Sequence, residues 1–241
     1  MTDGGKRLSI LGHLTELRTR LIRSVIAVAI TTILSFIFWR QIFNILVYPA
    51  GGTYFIYTEL TEMIGTIMRV CLAGGIILAT PYLTYEFIMF VAPALTPKEK
   101  RYVYIILPWI ALMFAGGVVF GYFILIPPAI NILTSMGSEF ATAQIRIGNY
   151  VSVVTRLLLA IGLVFELPVV STFLARLGII SSKWLASKRK IAIILAFILA
   201  AIITPTFDPI NQSLVAVPLV LLYELSIWLA RLVQKKKVDS V

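Results

Sequence analysis

Apolar residues in this chain come in long blocks, not in the alternating or 3.6-residue rhythm of a half-exposed strand or helix. Six such blocks stand out, at residues 21–39, 66–91, 102–126, 154–177, 191–204 and 213–232. A membrane-spanning helix needs about 20 mostly apolar residues, so the pattern predicts an all-α, polytopic integral membrane protein with six transmembrane helices. The fifth block, IAIILAFILAAIIT, is short: about 14 residues at about 1.5 Å each reach about 21 Å against a hydrocarbon core of roughly 30 Å. It either stops short of one face or thins the bilayer around it. Long connections near residues 40–65 and 127–153 alternate with short ones near 92–101, 178–190 and 205–212, which places the long ones on one side. The expected organisation is an amphipathic N-terminal segment over residues 1–20, a transmembrane domain over 21–232 and a basic tail over 233–241.

Composition fits that solvent: 59% of residues are hydrophobic and 13% charged, where a soluble domain has about 45–50% and about 25%. The first block is too long for a signal-peptide core and is expected to stay in the mature chain. Lys and Arg near helix ends resist translocation. Of the 21 in the chain, only Arg40, Arg69, Arg146 and Arg156 fall on the long-connection side, so both termini should be cytoplasmic. In a soluble domain the net charge of +10 would suggest nucleic acid. Here the charges sit at helix ends and form no separate basic domain, so the expected contact is membrane lipid and no nucleic acid. Cys71 has no intrachain partner and reads as a small buried hydrophobe. No phosphate loop and no HExxH occur, and His13 is the lone histidine. No enzyme, cofactor or metal site is indicated, which leaves transport, binding or translocation.

Four stretches carry more than the apolar background. In HLTELRTRLI (13–22), Leu14, Leu17 and Leu21 recur at helical spacing beside Glu16, Arg18 and Arg20, which reads as an interfacial amphipathic helix. Arginine anchoring to headgroups is one use for it; Glu16 points to another, since an anchor on anionic lipid gains nothing from a carboxylate. In FVAPALTPKEKR (90–101), Thr96, Pro97 and Glu99 form a capping box for the third helix. Glu99 could equally accept a guanidinium beside Phe90. LVFELPVV (163–170) puts Glu166 and Pro168 inside an apolar run. An intramembrane carboxyl is costly, and its neutral form is the cheaper resident. A protonated Glu166 hydrogen-bonded to a neighbouring helix, with the Val164 carbonyl that Pro168 leaves without its usual donor as one candidate partner, would account for it structurally. A wet cavity would account for it functionally. TPTFDPINQ (204–212) gathers Thr204, Thr206, Asp208, Asn211 and Gln212 around two prolines beside the short helix.

In this order, on six spans, HLTELRTRL, FVAPALTPKEKR, FELPVV and the ITP, Asp, Gln series resemble the TatC family, the core receptor subunit of the twin-arginine protein translocase. The resemblance runs from His13 to the final basic helix end. It implies a concave, glove-like six-helix bundle with short fifth and sixth helices in the plasma (inner) membrane of a prokaryote. It also implies export of folded proteins driven by the proton motive force. Glu99 would be the principal acceptor for the paired arginines of a signal peptide, with Glu16, Arg18 and Phe90 on the same surface. Glu166 would lie in the intramembrane cavity, and Thr204, Gln212 and Asp208 where single-span partners of the TatA/TatB type dock. The family commonly reads Thr-Pro-Pro-Asp where this chain has TPTFD, one residue longer. A homo-oligomer within a larger complex is expected. The alternative is a proton-coupled transporter of a small solute, with Glu166 and Glu86 as relay carboxylates.

Overall fold

The computed structural model describes residues 10–51, 54–91, 97–135, 144–203 and 209–238. The first helix, α1 (Ile10–Ile37), joins the amphipathic segment and the first span without a break at residue 20. Its leucines face outward and only 6% of its apolar window is buried, as suits a helix whose solvent on that side is lipid. The first long connection folds into α2 (Trp39–Val47) and a short strand β1 (Phe55–Ile56). The second span is α3 (Glu62–Val91), which lies along α1. Gly75 makes that approach possible: a Cβ there would come within 2.7 Å of the Thr32 backbone. Thr31 closes the seam, its hydroxyl donating to the Gly75 carbonyl at 2.8 Å.

The third span begins at Pro97, where the capping box predicts a start, and α4 (Pro97–Phe120) ends in a π turn over Gly121–Leu125 before α5 (Ile126–Ser135). Pro127 and Pro128 cannot donate to the carbonyls one turn back, which accounts for the widened turn. The second long connection then supplies β2 (Ile145–Arg146), which pairs in parallel with β1. The two long connections therefore meet at one end of the bundle.

The fourth block is two helices, α6 (Ile147–Phe165) and α7 (Leu167–Leu177), with Glu166 between them. Pro168 takes an early position in α7, where a missing N–H is tolerated, and the Glu166 carbonyl accepts from Val169 and Val170 at 3.1 and 2.9 Å. The main core lies along α6, around Val151, Val154, Leu158 and Ile161.

A short α8 (Ser182–Ser187) leads to α9 (Arg189–Ile203), 15 residues long and absent from the five helices that are long and apolar enough to cross a membrane. The expected short fifth helix is thus present. The last helix, α10 (Pro209–Val238), is 30 residues long, so the sixth is not short as a helix. Arg189, at the start of α9, pairs with Glu224 of α10 at 2.6 and 2.9 Å, and both side chains are about half exposed. That pair ties the start of α9 to the middle of α10, whose stretch long and apolar enough to cross a membrane is Gln212–Gln234, 23 residues. The end of α10 is further tied to α8 and the turn before it, through Gln234 to Ser182 and Ile180 and through the Tyr223 hydroxyl to the Leu185 carbonyl.

Leu60, 98% exposed among the long connections, and Lys188, exposed between α8 and α9, test this arrangement. Leu60→Cys and Lys188→Cys are expected to react with an impermeant maleimide from opposite sides of the membrane, with buried Cys71 silent. Labelling from the same side would remove the six-span topology.

Candidate functional site

At the end of the bundle away from the strands, α1 and α3 run antiparallel and bring polar residues from each together. Glu16 and Arg20 stand one turn apart on α1, as do Tyr82 and Glu86 on α3. Arg20 lies between the two carboxylates. Its Nη1 donates to Glu86 Oε2 at 2.7 Å, and its Nη2 and Nε donate to Glu16 Oε1 at 2.6 and 3.0 Å. The Tyr82 hydroxyl donates to the other Glu86 oxygen at 2.8 Å. Glu86 is only 3% exposed, so these contacts replace its water. One turn further toward the helix end, His13 stacks on Phe90 with ring centroids 4.5 Å apart. Two carboxylates sharing one guanidinium leave the group with a formal charge of −1.

Of the residues expected on this surface, Glu16 and Phe90 are brought to one edge. Arg18 is exposed and stands about 200° around α1 from Glu16, so the same face cannot present both. The side chain of Glu99 lies outside the described residues, although its backbone is in the first turn of α4. Sequence reasoning missed Arg20, Tyr82, Glu86 and His13 as members of the group. The two pairs spaced four apart were visible signals, but their meeting across helices was not.

Glu166 is 5% exposed. Its side-chain partner is Thr84 of α3, whose hydroxyl donates to Oε2 at 2.6 Å, and not the Val164 carbonyl. The other carboxyl oxygen is buried without a hydrogen-bond partner among the described residues. The carboxyl is therefore enclosed where α3 meets the α6–α7 break and does not stand on an open wall. Thr84 and Glu86, two residues apart, face opposite sides of α3, one toward that break and the other toward α1. Gln212, at the start of α10, donates its amide to the Phe197 carbonyl of α9 at 2.9 Å. Thr204 and Asp208 lie outside the described residues.

The opposite end has its own clamp. Glu62 accepts from Arg146 at 2.9 Å, from the Thr58 N–H at 3.0 Å and from the Gly148 N–H at 3.2 Å, which ties the two long connections to the start of α3. The hydrogen bond to Glu62 raises the pKa of Arg146 further above its ordinary value, with desolvation opposing and Glu59 assisting.

A helical bundle with several apolar spans, and with a buried carboxylate and guanidinium group at the mouth of two of them, defines the class: a multi-pass membrane protein. Comparison with known proteins makes this particular. The family model described as Sec-independent protein translocase protein (TatC) matches residues 12–218. The TatC of Desulforapulum autotrophicum is 43% identical, over 93% of this chain and 85% of its own. That of Aquifex aeolicus is 40% identical, over 93% and 95%. A crystal structure of a twin-arginine translocase receptor, TatC, superimposes with a TM-score of 0.82 at 39% identity, over 92% of this chain and 99% of that one. This chain belongs to the TatC family. These relatives are components of a protein translocase, which sets aside the small-solute transporter as an alternative.

The Arg20 group predicts non-additive stability. Arg20→Met leaves Glu86 buried and unpaired and is expected to cost about 3 kcal/mol. In the Glu86→Leu background the same change is expected to cost far less, as measured by thermal unfolding in detergent. Equal losses in both backgrounds would show that the pair is not coupled.

Proposed function

We propose that this chain is the signal-peptide receptor and core of a translocase that carries folded proteins across the inner membrane of a prokaryote, driven by the proton motive force, with both termini cytoplasmic. The observation that carries this reading is the Arg20 group. The end of α1 and α3 already coordinates one guanidinium with two carboxylates beside stacked aromatic rings, and the group retains a formal negative charge. That is the chemistry by which an arginine pair on a peptide would be held. The name printed for the solved relative, a twin-arginine translocase receptor, supports the same reading.

In this proposal Glu99 is the principal acceptor, with Glu16 and Phe90 beside it and Arg18 on the outer flank. Glu166 meets the signal segment once the seam against Thr84 opens. Single-span subunits of the TatA/TatB type dock where α9 and α10 are joined by Gln212, with Thr204 and Asp208 in the same connection, and the chain works as several copies within a larger complex. The shortness of α9 supports this placement, because 15 residues reach less than a full hydrocarbon core.

A Glu99→Gln variant distinguishes capping from recognition. Glutamine also caps, so a purely structural Glu99 would leave peptide binding unchanged. Recognition predicts that affinity for a twin-arginine peptide falls by about fivefold or more, with a twin-lysine peptide weak against both proteins. Titration calorimetry or fluorescence anisotropy on the purified complex reads the difference.

For Glu166, Gln can still accept from Thr84, whereas Ala leaves that hydroxyl unpartnered. Export at matched protein levels is expected to survive largely in Glu166→Gln and to fail in Glu166→Ala. If Gln is as inactive as Ala, the carboxylate itself is needed as a charge or a proton carrier.

A further inference from the structure

Two arginines lie within membrane-spanning segments with no carboxylate partner among the described residues. Arg69 and Arg156 stand roughly 10 and 14 Å along α3 and α6 from Glu62 and Ile147, the residues that open those helices at the strand-bearing end. Both converge on one residue. Arg69 Nη1 donates to the Ser152 hydroxyl at 3.0 Å, and Arg156 Nε donates to the Ser152 carbonyl at 2.9 Å. Among the described residues, the carboxylates in ion pairs go to Arg20, Arg146 and Arg189, and none to these two. A guanidinium carries several N–H donors in a planar fork, so most of the donors of both stay open.

The arginines line one groove of roughly 450 Å³ between α3 and α6. Its polarity is graded. Arg69, Ser152 and Arg156 occupy the part nearer the strands, and Leu72, Ile76 and Leu159 continue it deeper along the helices. Such uncompensated charge inside a span marks a binding site by default. A carboxylate from a neighbouring helix would match one guanidinium. A phosphate diester has oxygens enough to bridge two, and an apolar chain that follows it inward fits the rest of the groove.

We infer that the Arg69–Ser152–Arg156 groove binds the phosphate headgroup of an anionic phospholipid from the leaflet on the long-connection side, with an acyl chain along Leu72, Ile76 and Leu159. The site is separate from the Arg20 group and from Glu166, and it requires neither for binding. A bound lipid there would fill the lateral face of α3 and α6 and supply the negative charge that none of the described residues places there.

Native mass spectrometry of the detergent-purified chain, titrated with phosphatidylglycerol and in parallel with phosphatidylcholine, tests the inference. The unaltered chain is expected to retain phosphatidylglycerol preferentially. R69Q/R156Q is expected to bind it about tenfold or more weakly, R69K/R156K to keep most of the preference, and R40Q, which changes an arginine lying over Trp39, to behave as the parent. An unchanged thermal transition in R69Q/R156Q separates lost binding from misfolding, and the lysine variant provides the second check. Equal retention by R69Q/R156Q and the parent would overturn the site. So would an equal loss in R40Q, which signals diffuse surface attraction, or a parent chain indifferent to headgroup that instead captures an acidic transmembrane peptide through the two arginines.

Discussion

Charge inside a bilayer has to be answered from within the protein, and the contact between Arg20 and Glu86 is where this structure answers it most completely. Glu86 has almost no solvent access, so its pairing with a helix from another part of the chain fixes how α1 meets α3. The same seam continues through Thr31 and Gly75 toward the other end, where a side chain larger than hydrogen would push the helices apart. Once α1 is held against α3, His13 and Phe90 stack, and a polar edge forms at the mouth of two spans. Removing either charge leaves the other stranded, which is why the pair acts as a constraint more than as a source of net stability.

The second constraint is backbone. Pro168 cannot complete a helical turn, so the fourth block breaks at Glu166 and brings a carboxyl to the seam with Thr84. Pro127 and Pro128 similarly widen the third span into a π turn, and the Tyr122 hydroxyl from that turn reaches the Ile45 carbonyl at the end of α2. The Tyr150 hydroxyl of α6 takes the neighbouring Leu46 carbonyl. Groups that prolines and helix ends leave open are thus met by side chains from other elements, as a bilayer without water requires.

Much of this was legible in the sequence because length and apolarity are one-dimensional signals. The spans, the short α9, the start of α4 at Pro97 and the break at Glu166 each follow from a local rule about hydrophobic runs or proline. The partners of Glu166 and Glu86 were not legible, since Thr84 is 82 residues from the first and Arg20 is 66 from the second. A hydroxyl among many apolar residues gives no sign of its partner. Arg18 shows a different limit. It sits in the same short stretch as Glu16, yet helical rotation turns it away, a consequence that composition of the stretch hides. The extent of α10 was underread because its lysine-rich end is polar but still helix-forming, so hydropathy ended the element before the helix did.

The two ends of the bundle treat arginine in opposite ways, and the contrast bears on mechanism. Near the termini, Arg20 is saturated by Glu16 and Glu86, and that local group keeps a formal negative charge. At the strand-bearing end Arg146 is likewise clamped, but deeper in the spans Arg69 and Arg156 share an uncharged serine and meet no carboxylate among the described residues. Under the proposed function, the first group would hold a guanidinium from a peptide, while the second calls for an anion. Beside these groups α9, at 15 residues, is too short to span a full-thickness bilayer. In the proposed receptor reading, the Arg20 group would hold the arginines of a signal segment, and the short α9 would leave the apolar part that follows them less hydrocarbon to cross.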